Sequence, residues 1–499
     1  MSKRTTTLSM TRDTIGPGHS QGDAMRHRPI DILLIVILPL FAGACTVGPD
    51  YKRPEAIVPV RYKEDDGWKP AQPADAIDRG AWWSIYCDPT LDSLERQVDI
   101  SNQNLKASEA AYRQALAVVQ EGKSGYLPTL SLTSTAALTK SPGSSSAPDG
   151  ELTVAARVDW DLDVWGRIRR TVESDAANAQ ASAADLAVAR LSAQATLASD
   201  YFLLRGSDQT KRLFDDTIAD FTRSLQIVQN QYAAGVAAKS DVATAETQLQ
   251  QAQAQAVDLG VQRATLEHAI ALLVGKAPAD LTLAPGPLAT AVPVAPAGLP
   301  STLLQRRPDI AEAERKMAAA NAQIGVAKAA YYPDITLSAV AGFGASAVGN
   351  LFSASNTAWS VGASIAETVF DGGLRQAQVA SAKAVYDQSV ALYRETVLTG
   401  FQQVEDQLAA LRVLEQESAV EDAAVKSSQE ASQLTLNEYK AGTMAYTAVV
   451  TAQTAELNNE RSAVTIRQNR LTASVALIEA LGGGWATDQL PSRDTVTHG

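Results

Sequence analysis

Cys45 is the side chain best placed for covalent chemistry. It follows Ala42-Gly43-Ala44, which close an apolar run from Ile32 to Phe41 headed by Arg26 and Arg28. Ten apolar residues that include Pro39 are too few to cross a bilayer, but they suit the core of an export signal. The small residues ahead of the cysteine match a lipobox, although Ala42 stands where such boxes usually carry Leu. Cleavage before Cys45 would leave it N-terminal with an S-diacylglycerol and an N-acyl chain, the one covalent group expected on this chain. An ordinary signal peptide with an incidental cysteine is the alternative. Met25 opens a more compact signal than Met1, so translation is expected to start at Met25 and residues up to 44 to be removed.

Little else invites catalysis. With Cys45 lipidated, Cys87 has no partner for an intrachain disulfide. His19 and His27 precede or sit in the signal, His498 lies in the tail, and His268 reads as a packing residue within a helical pattern. A histidine zinc site or a Ser–His–Asp triad is thereby excluded. There is no P-loop, and Asp371-Gly372-Gly373 lacks the rest of a dinucleotide fingerprint, so it reads as a turn into a helix. No enzyme, metal or further cofactor is expected. Without residues 1–44 the chain keeps 38 basic and 52 acidic residues, a net charge of −14. That argues against nucleic acid as a partner and suits an acidic surface or an acid-lined lumen.

These residues must be positioned by elements that occur twice. Tyr232, Gly235, Val242 and Ala245 recur 207 residues later as Tyr439, Gly442, Val449 and Ala452, and Gly275 as Gly482. Tyr126-Leu127-Pro128 is echoed by Tyr331-Tyr332-Pro333, and Trp165-Gly166-Arg167 loosely by Phe370-Asp371-Gly372. Such duplication implies two similar units side by side. The expected order is an irregular arm over 45–90, a first repeat over 91–275, a proline-rich linker over 276–303, a second repeat over 304–482 and a flexible tail over 483–499. Period-two alternation predicts strands near 129–138, 152–162, 335–344 and 358–369, each the length of a tilted membrane-spanning strand. From Leu91 to Ser124 the pattern is helical. Arg167 to Gln231 lacks proline, and Ile218, Phe221, Leu225, Val228 and Tyr232 form a coiled-coil seam. Val390, Val397, Val404 and Leu411 fall seven apart in the second repeat.

Several segments together resemble the outer-membrane factor lipoproteins of the OprM/NodT type, relatives of TolC. They are Cys45 through Pro54, Trp82-Trp83 with Asp88-Pro89 and Leu91, Asp163-Val-Trp-Gly-Arg167, Leu303 through Asp309, Ala319 through Val326, Phe370 through Gly373 and Val397 through Leu408. The resemblance covers the mature chain in order. It implies an α+β membrane protein in which long helices build a periplasmic tunnel and four strands per protomer enter a transmembrane β-barrel closed by a homotrimer. It implies an exit duct for drugs or other small molecules, anchored by lipid in the outer membrane and reaching into the periplasm. A periplasmic adaptor and an inner-membrane transporter of the resistance-nodulation-division class complete such a pump. A duct for oligosaccharides or proteins, or a non-conducting coiled-coil lipoprotein, are the alternatives.

Gate residues follow from the same resemblance. Gly235 and Gly442 can supply left-handed turns between antiparallel helices at the periplasmic tip. Asp241 matches a constriction aspartate, and equally it is an acidic residue in the first turn of a helix. Its second-repeat segment is neutral, with Ala448 and Thr451 where relatives are often acidic, and Met444 stands where some relatives carry an arginine. Tyr232 and Tyr439 are the candidates for closure by packing and hydrogen bonding.

Overall fold

The computed structural model describes residues 46–55, 58–64, 81–140, 142, 149–293 and 300–498. The export segment, the Met25 start and the lipidation residue Cys45 lie outside the described residues. So does part of the linker.

Helix α1 (Pro89–Ser101) is capped by Asp88, whose carboxylate accepts from Thr90 N and Leu91 N. The continuous helix expected from Leu91 is broken at Asn102. Its side-chain oxygen accepts from Asn104 N and Leu105 N to start α2 (Gln103–Ser124), while its Nδ2 donates to Leu273 O at 2.8 Å. Strands β1 (Thr129–Thr139) and β2 (Asp149–Asp161) precede two helices of unequal length, α3 (Arg167–Ala233) and α4 (Lys239–Leu273). The second repeat runs α5 (Pro300–Arg306), α6 (Pro308–Ala329), β3 (Asp334–Ala345), β4 (Thr357–Ala366), α7 (Leu374–Lys440) and α8 (Tyr446–Ala480). Both long helices have 67 residues and both return helices 35. At about 1.5 Å per residue the long ones reach about 100 Å.

Mid-height on the helices, each repeat is spliced alike. Arg307 separates α5 from α6 as Asn102 separates α1 from α2, and its Nη1 donates to Ala480 O at 2.8 Å. Gly275 and Gly482 follow the return helices at φ +69° and +93°, and a Cβ on either would strike Ser101 O or Arg306 O. The main core gathers at this level, where Trp82, Leu91, Leu197, Tyr201, Phe202 and Leu204 are fully buried. Seam residues Phe221, Val228, Val397, Val404 and Leu411 are buried as the spacing predicts.

The four strands form one antiparallel sheet in the order β1-β2-β3-β4. One face carries Leu130, Leu132 and Leu138 of β1 and Trp359, Val361 and Ile365 of β4, all between 70 and 82% exposed. By the pleat, Thr129, Ser131, Thr133, Ser360, Gly362 and Ser364 point the other way. The edge strands are thus apolar on one side and carry small residues on the other, where β2 adds Arg157 and Asp159. Each hairpin keeps its own register, Thr129 opposite Asp159 and Asp334 opposite Ala366. With α2 and α6 offset by 205 and α3 and α7 by 207, these registers place β1 and β3 at an offset of 205, but β2 and β4 at 207. The extra residues lie in the loop between β3 and β4. This corrects the loose match of Trp165-Gly166 to Phe370-Asp371: the counterparts are Gly372-Gly373. Asp371 closes that turn, accepting from Gly373 N and Arg375 N, and Asp163 caps α3 through Ile168 N and Arg169 N.

Three segments differ from expectation. The tail does not hang free. It forms a turn at Thr487–Gln489 and a short helix α9 (Arg493–His498), because Val496 packs beside Val119, Ala176 and Ala179 and Lys123 donates to Thr497 O. The described part of the linker is clasped by buried Asp208, which accepts from Arg205, Arg263 and Gly286 N. The arm beyond Thr46 is threaded along the helices: buried Arg170 holds Val47 O, Gly48 O and Asp50, Asn321 holds Pro49 O, and Arg53 donates to the Tyr393 hydroxyl. Among the described residues no helix is long and apolar enough to cross a membrane.

Glu95 of α1 is fully buried, and neither carboxylate oxygen has a partner among the described residues. Burial, and then the charge of Asp99, push its pKa up to about 9. A raised carboxyl pKa removes stability as pH climbs from the unfolded value toward the folded one. The stability gap between Glu95→Gln and wild type, followed by thermal unfolding in detergent, should therefore widen from about pH 5 to about pH 9 by at most ~1.4 kcal/mol per pH unit, then level off. A constant gap would show that Glu95 is ionised in the native protein.

Candidate functional site

The turns between α3 and α4 and between α7 and α8 close in the same way. Gly235 N donates to Tyr232 O and Val236 N to Gln231 O, both at 2.9 Å. Gly442 N donates to Tyr439 O and Thr443 N to Glu438 O, both at 3.0 Å. This paired 5→2 and 6→1 bonding satisfies the last helix carbonyls and requires a left-handed residue. The glycines supply it at φ 74° and 76°. No atom approaches within 4 Å of a Cβ built on either, so the requirement is conformational and not one of space.

Just past the turns the repeats diverge. Asp241 is the third residue of α4, and its Oδ2 accepts from Ala238 N at 3.3 Å, tying down the helix start. Its counterpart Ala448 contributes only a backbone N–H to Ala445 O. Tyr439 is 6% exposed and packs 5.2 Å, centroid to centroid, from Tyr446. Its hydroxyl has no partner among the described residues. Burial and then the Asp241 charge raise the Tyr439 pKa, while burial, Tyr439 and Asp241 push Tyr446 up to about 12. The acid of the first repeat therefore acts on the tyrosine pair of the second. Val228, Ala245 and Val449 complete this inter-repeat cluster.

Tyr232 is not part of it and is 47% exposed. Lys239 stands where the second repeat has Tyr446, so Tyr232 has no ring to pack on. Sequence reasoning missed Tyr446, and it missed Gln453, whose Nε2 donates to Ser224 Oγ at 3.1 Å between the repeats. The mismatch of Lys239 with Tyr446 at the 207-residue offset was the available signal. His268 is exposed, not packed, because the alanine-rich α4 buries only a narrow stripe. Among the described residues no three His, Cys, Asp or Glu side chains gather to hold a metal ion.

Solved channels share this fold. The outer-membrane channel OprN is 30% identical, with a TM-score of 0.82 over 88% of this chain and 100% of its own. The open-state outer-membrane channel MtrE of Neisseria gonorrhoeae is 27% identical, with a TM-score of 0.79 over 88% and 98%. The solvent efflux pump outer membrane protein SrpC of Pseudomonas putida is 30% identical over 472 residues, 91% of this chain and 99% of its own. OprJ of Pseudomonas aeruginosa is 29% identical over 461 residues, 90% and 95% of the two chains. Long helix pairs joined by glycine turns, carrying a sheet with one lipid-compatible face, make this an outer-membrane channel protein. The family model described as outer membrane efflux protein matches residues 95–276 and 299–483, and the chain belongs to that family. It resides in the outer membrane and extends into the periplasm.

Two substitutions test the turns. Gly235→Ala and Gly442→Ala should each cost about 1 kcal/mol, seen as faster amide exchange confined to the adjoining helix ends. Tyr439→Phe should leave unfolding in detergent within ~0.5 kcal/mol of wild type, because it removes an unpaired buried hydroxyl, while Tyr439→Ala should lose about 3 kcal/mol. A loss of about 1 kcal/mol or more in Tyr439→Phe would mean that the hydroxyl is bonded in the assembled protein.

Proposed function

We propose that three copies of this chain close one barrel and one tunnel, forming the exit duct of a tripartite pump of the resistance-nodulation-division class. The observation that carries this reading is the sheet. β1 and β4 are edge strands with an exposed apolar face, and an open edge is not tolerated in hydrocarbon. A four-stranded unit must therefore meet other copies, and three give twelve strands. The energy comes from an inner-membrane transporter, with a periplasmic adaptor between it and the helix tips. The duct itself conducts drugs or other small molecules passively and performs no catalysis. SrpC is named for solvent efflux and OpmQ of Pseudomonas aeruginosa for pyoverdine export, which supports small-molecule cargo here.

The lipid on Cys45 fits the same picture. Val47 N donates to Trp165 O at 3.1 Å, and Thr46 lies so close to Gly166 that a Cβ there would meet it at 2.8 Å. The first described residues lie beside the turn where β2 leaves the sheet, which supports a lipid-bearing start at that level.

At the other end, three Asp241 carboxylates around the bore would favour cations over anions. The Ala238 bond engages one of the two oxygens, so capping and charge coexist in one residue. Tyr439 and Tyr446 lock the neutral second-repeat turn by packing. Purified protein in planar bilayers should conduct, and Asp241→Asn should lower cation preference and divalent-cation block with oligomer size unchanged. Unaltered selectivity and block would leave Asp241 a helix cap alone, and a protein without conductance would remove the duct reading.

A further inference from the structure

The internal duplication specifies how one copy joins the next. Within the chain, β2 of the first repeat pairs with β3 of the second, Arg157 opposite Val340 and Val158 opposite Ala339. Below the last pair, Leu162 N still donates to Ile335 O at 2.9 Å. This is a junction between unlike repeats. The junction between β4 and the β1 strand of a neighbouring copy is its second occurrence in a closed ring. The hairpin registers agree with β1 corresponding to β3 at 205 residues and β2 to β4 at 207. The same offsets hold for the attached helices, α2 with α6 and α3 with α7.

The geometry points to a single register at the copy–copy seam: Val361 opposite Leu138, Ala363 opposite Ala136 and Ser364 opposite Thr135 of the next copy. This rests on the closed oligomer proposed above and names the contact that closes it. Two features accord with it. The first is the pleat, because the pairing sets the apolar residues of β4 beside the even-numbered, apolar face of β1 and leaves Ser360, Gly362 and Ser364 beside Thr139, Ala137 and Thr135. The second is the early end of β4. Within one chain it stops at Ala366, whereas β2 runs to Asp161, the counterpart of Thr368. In the assembled seam β4 continues to Thr368 opposite Ser131, and Val369 N takes the place of Leu162 N, donating to Leu130 O of the next copy. Val369 and Leu130 are 93% and 75% exposed in the single chain, and the seam brings them together.

A slip of two residues keeps every side chain on its proper face, so pattern alone does not select this register; the repeat does. Cysteine pairing tests it in the full-length lipoprotein carrying Cys87→Ser. Ser364→Cys with Thr135→Cys should give disulfide-linked ladders up to three chains after oxidation, reversed by reductant. Ser364→Cys with Thr133→Cys, or with Ala137→Cys, should stay unlinked, because a two-residue slip moves the Cα atoms beyond the reach of a disulfide. Ala363→Cys with Ala136→Cys repeats the test on the opposite face. Linkage of a shifted pair, or no linkage of either matched pair in a protein that is trimeric by mass, overturns the register while leaving the trimer intact. A monomeric mass overturns the closed oligomer itself.

Discussion

A backbone N–H or C=O left without a partner in hydrocarbon costs several kcal/mol, on the order of 2–7 by transfer measurements. A sheet of four strands has two rows of such groups, on β1 and β4. Most of the chain can be understood as a consequence of that cost. The strands are short and one face is apolar, the hairpins are duplicated so that β2 of one repeat pairs with β3 of the other, and each strand pair is carried on long helices. A single repeat would expose its edges as well, which is why duplication and assembly address one problem.

The helical body obeys a different rule. Helices of 67 residues have no intrinsic need of a large core, and their ends pack through alanine, with Ala177 on Ala318 and Ala319 and Phe221 beside Ala252 and Ala256. Large side chains concentrate where chain segments meet, around Trp82, Tyr201 and Phe202. There the buried polar groups are mostly committed, Tyr201 to Asp88, Trp82 to Gln194 and Arg205 to Asp208 and Ala284 O. Such pairing fixes one arrangement of the segments while contributing little net stability of its own.

Features set by neighbouring residues were legible in the sequence. Strand alternation, the uninterrupted helices, the two glycine turns and the aspartates that start helices all depend on spacing within about ten residues. Features set by distant partners were not. Nothing near Asn102 reveals that its amide meets Leu273 O, and nothing near Val496 reveals the pocket beside Val119. Tyr232 and Tyr439 look equivalent by type and offset, yet one is exposed and one buried because Tyr446 replaces Lys239 seven residues on. The strand registers also repositioned the inserted residues, moving them from the strand-to-helix turn into the hairpin loop. Cross-strand pairing is needed to see that.

The splices at Asn102 and Arg307 give the shaft a mechanical character. Each 67-residue helix is a continuous rod, while beside it a 35-residue helix ends at a glycine joint and a separate helix carries on above. α4 and α8 are in effect levers about 50 Å long, pinned at their upper ends by Asn102 and Arg307 and joined to the rods only through the glycine turns and side-chain packing. Over such a length, any rotation at the pinned end is multiplied at the tip. The glycine-turn ends are thus governed from about 50 Å away, at the level where the return helices enter the main core.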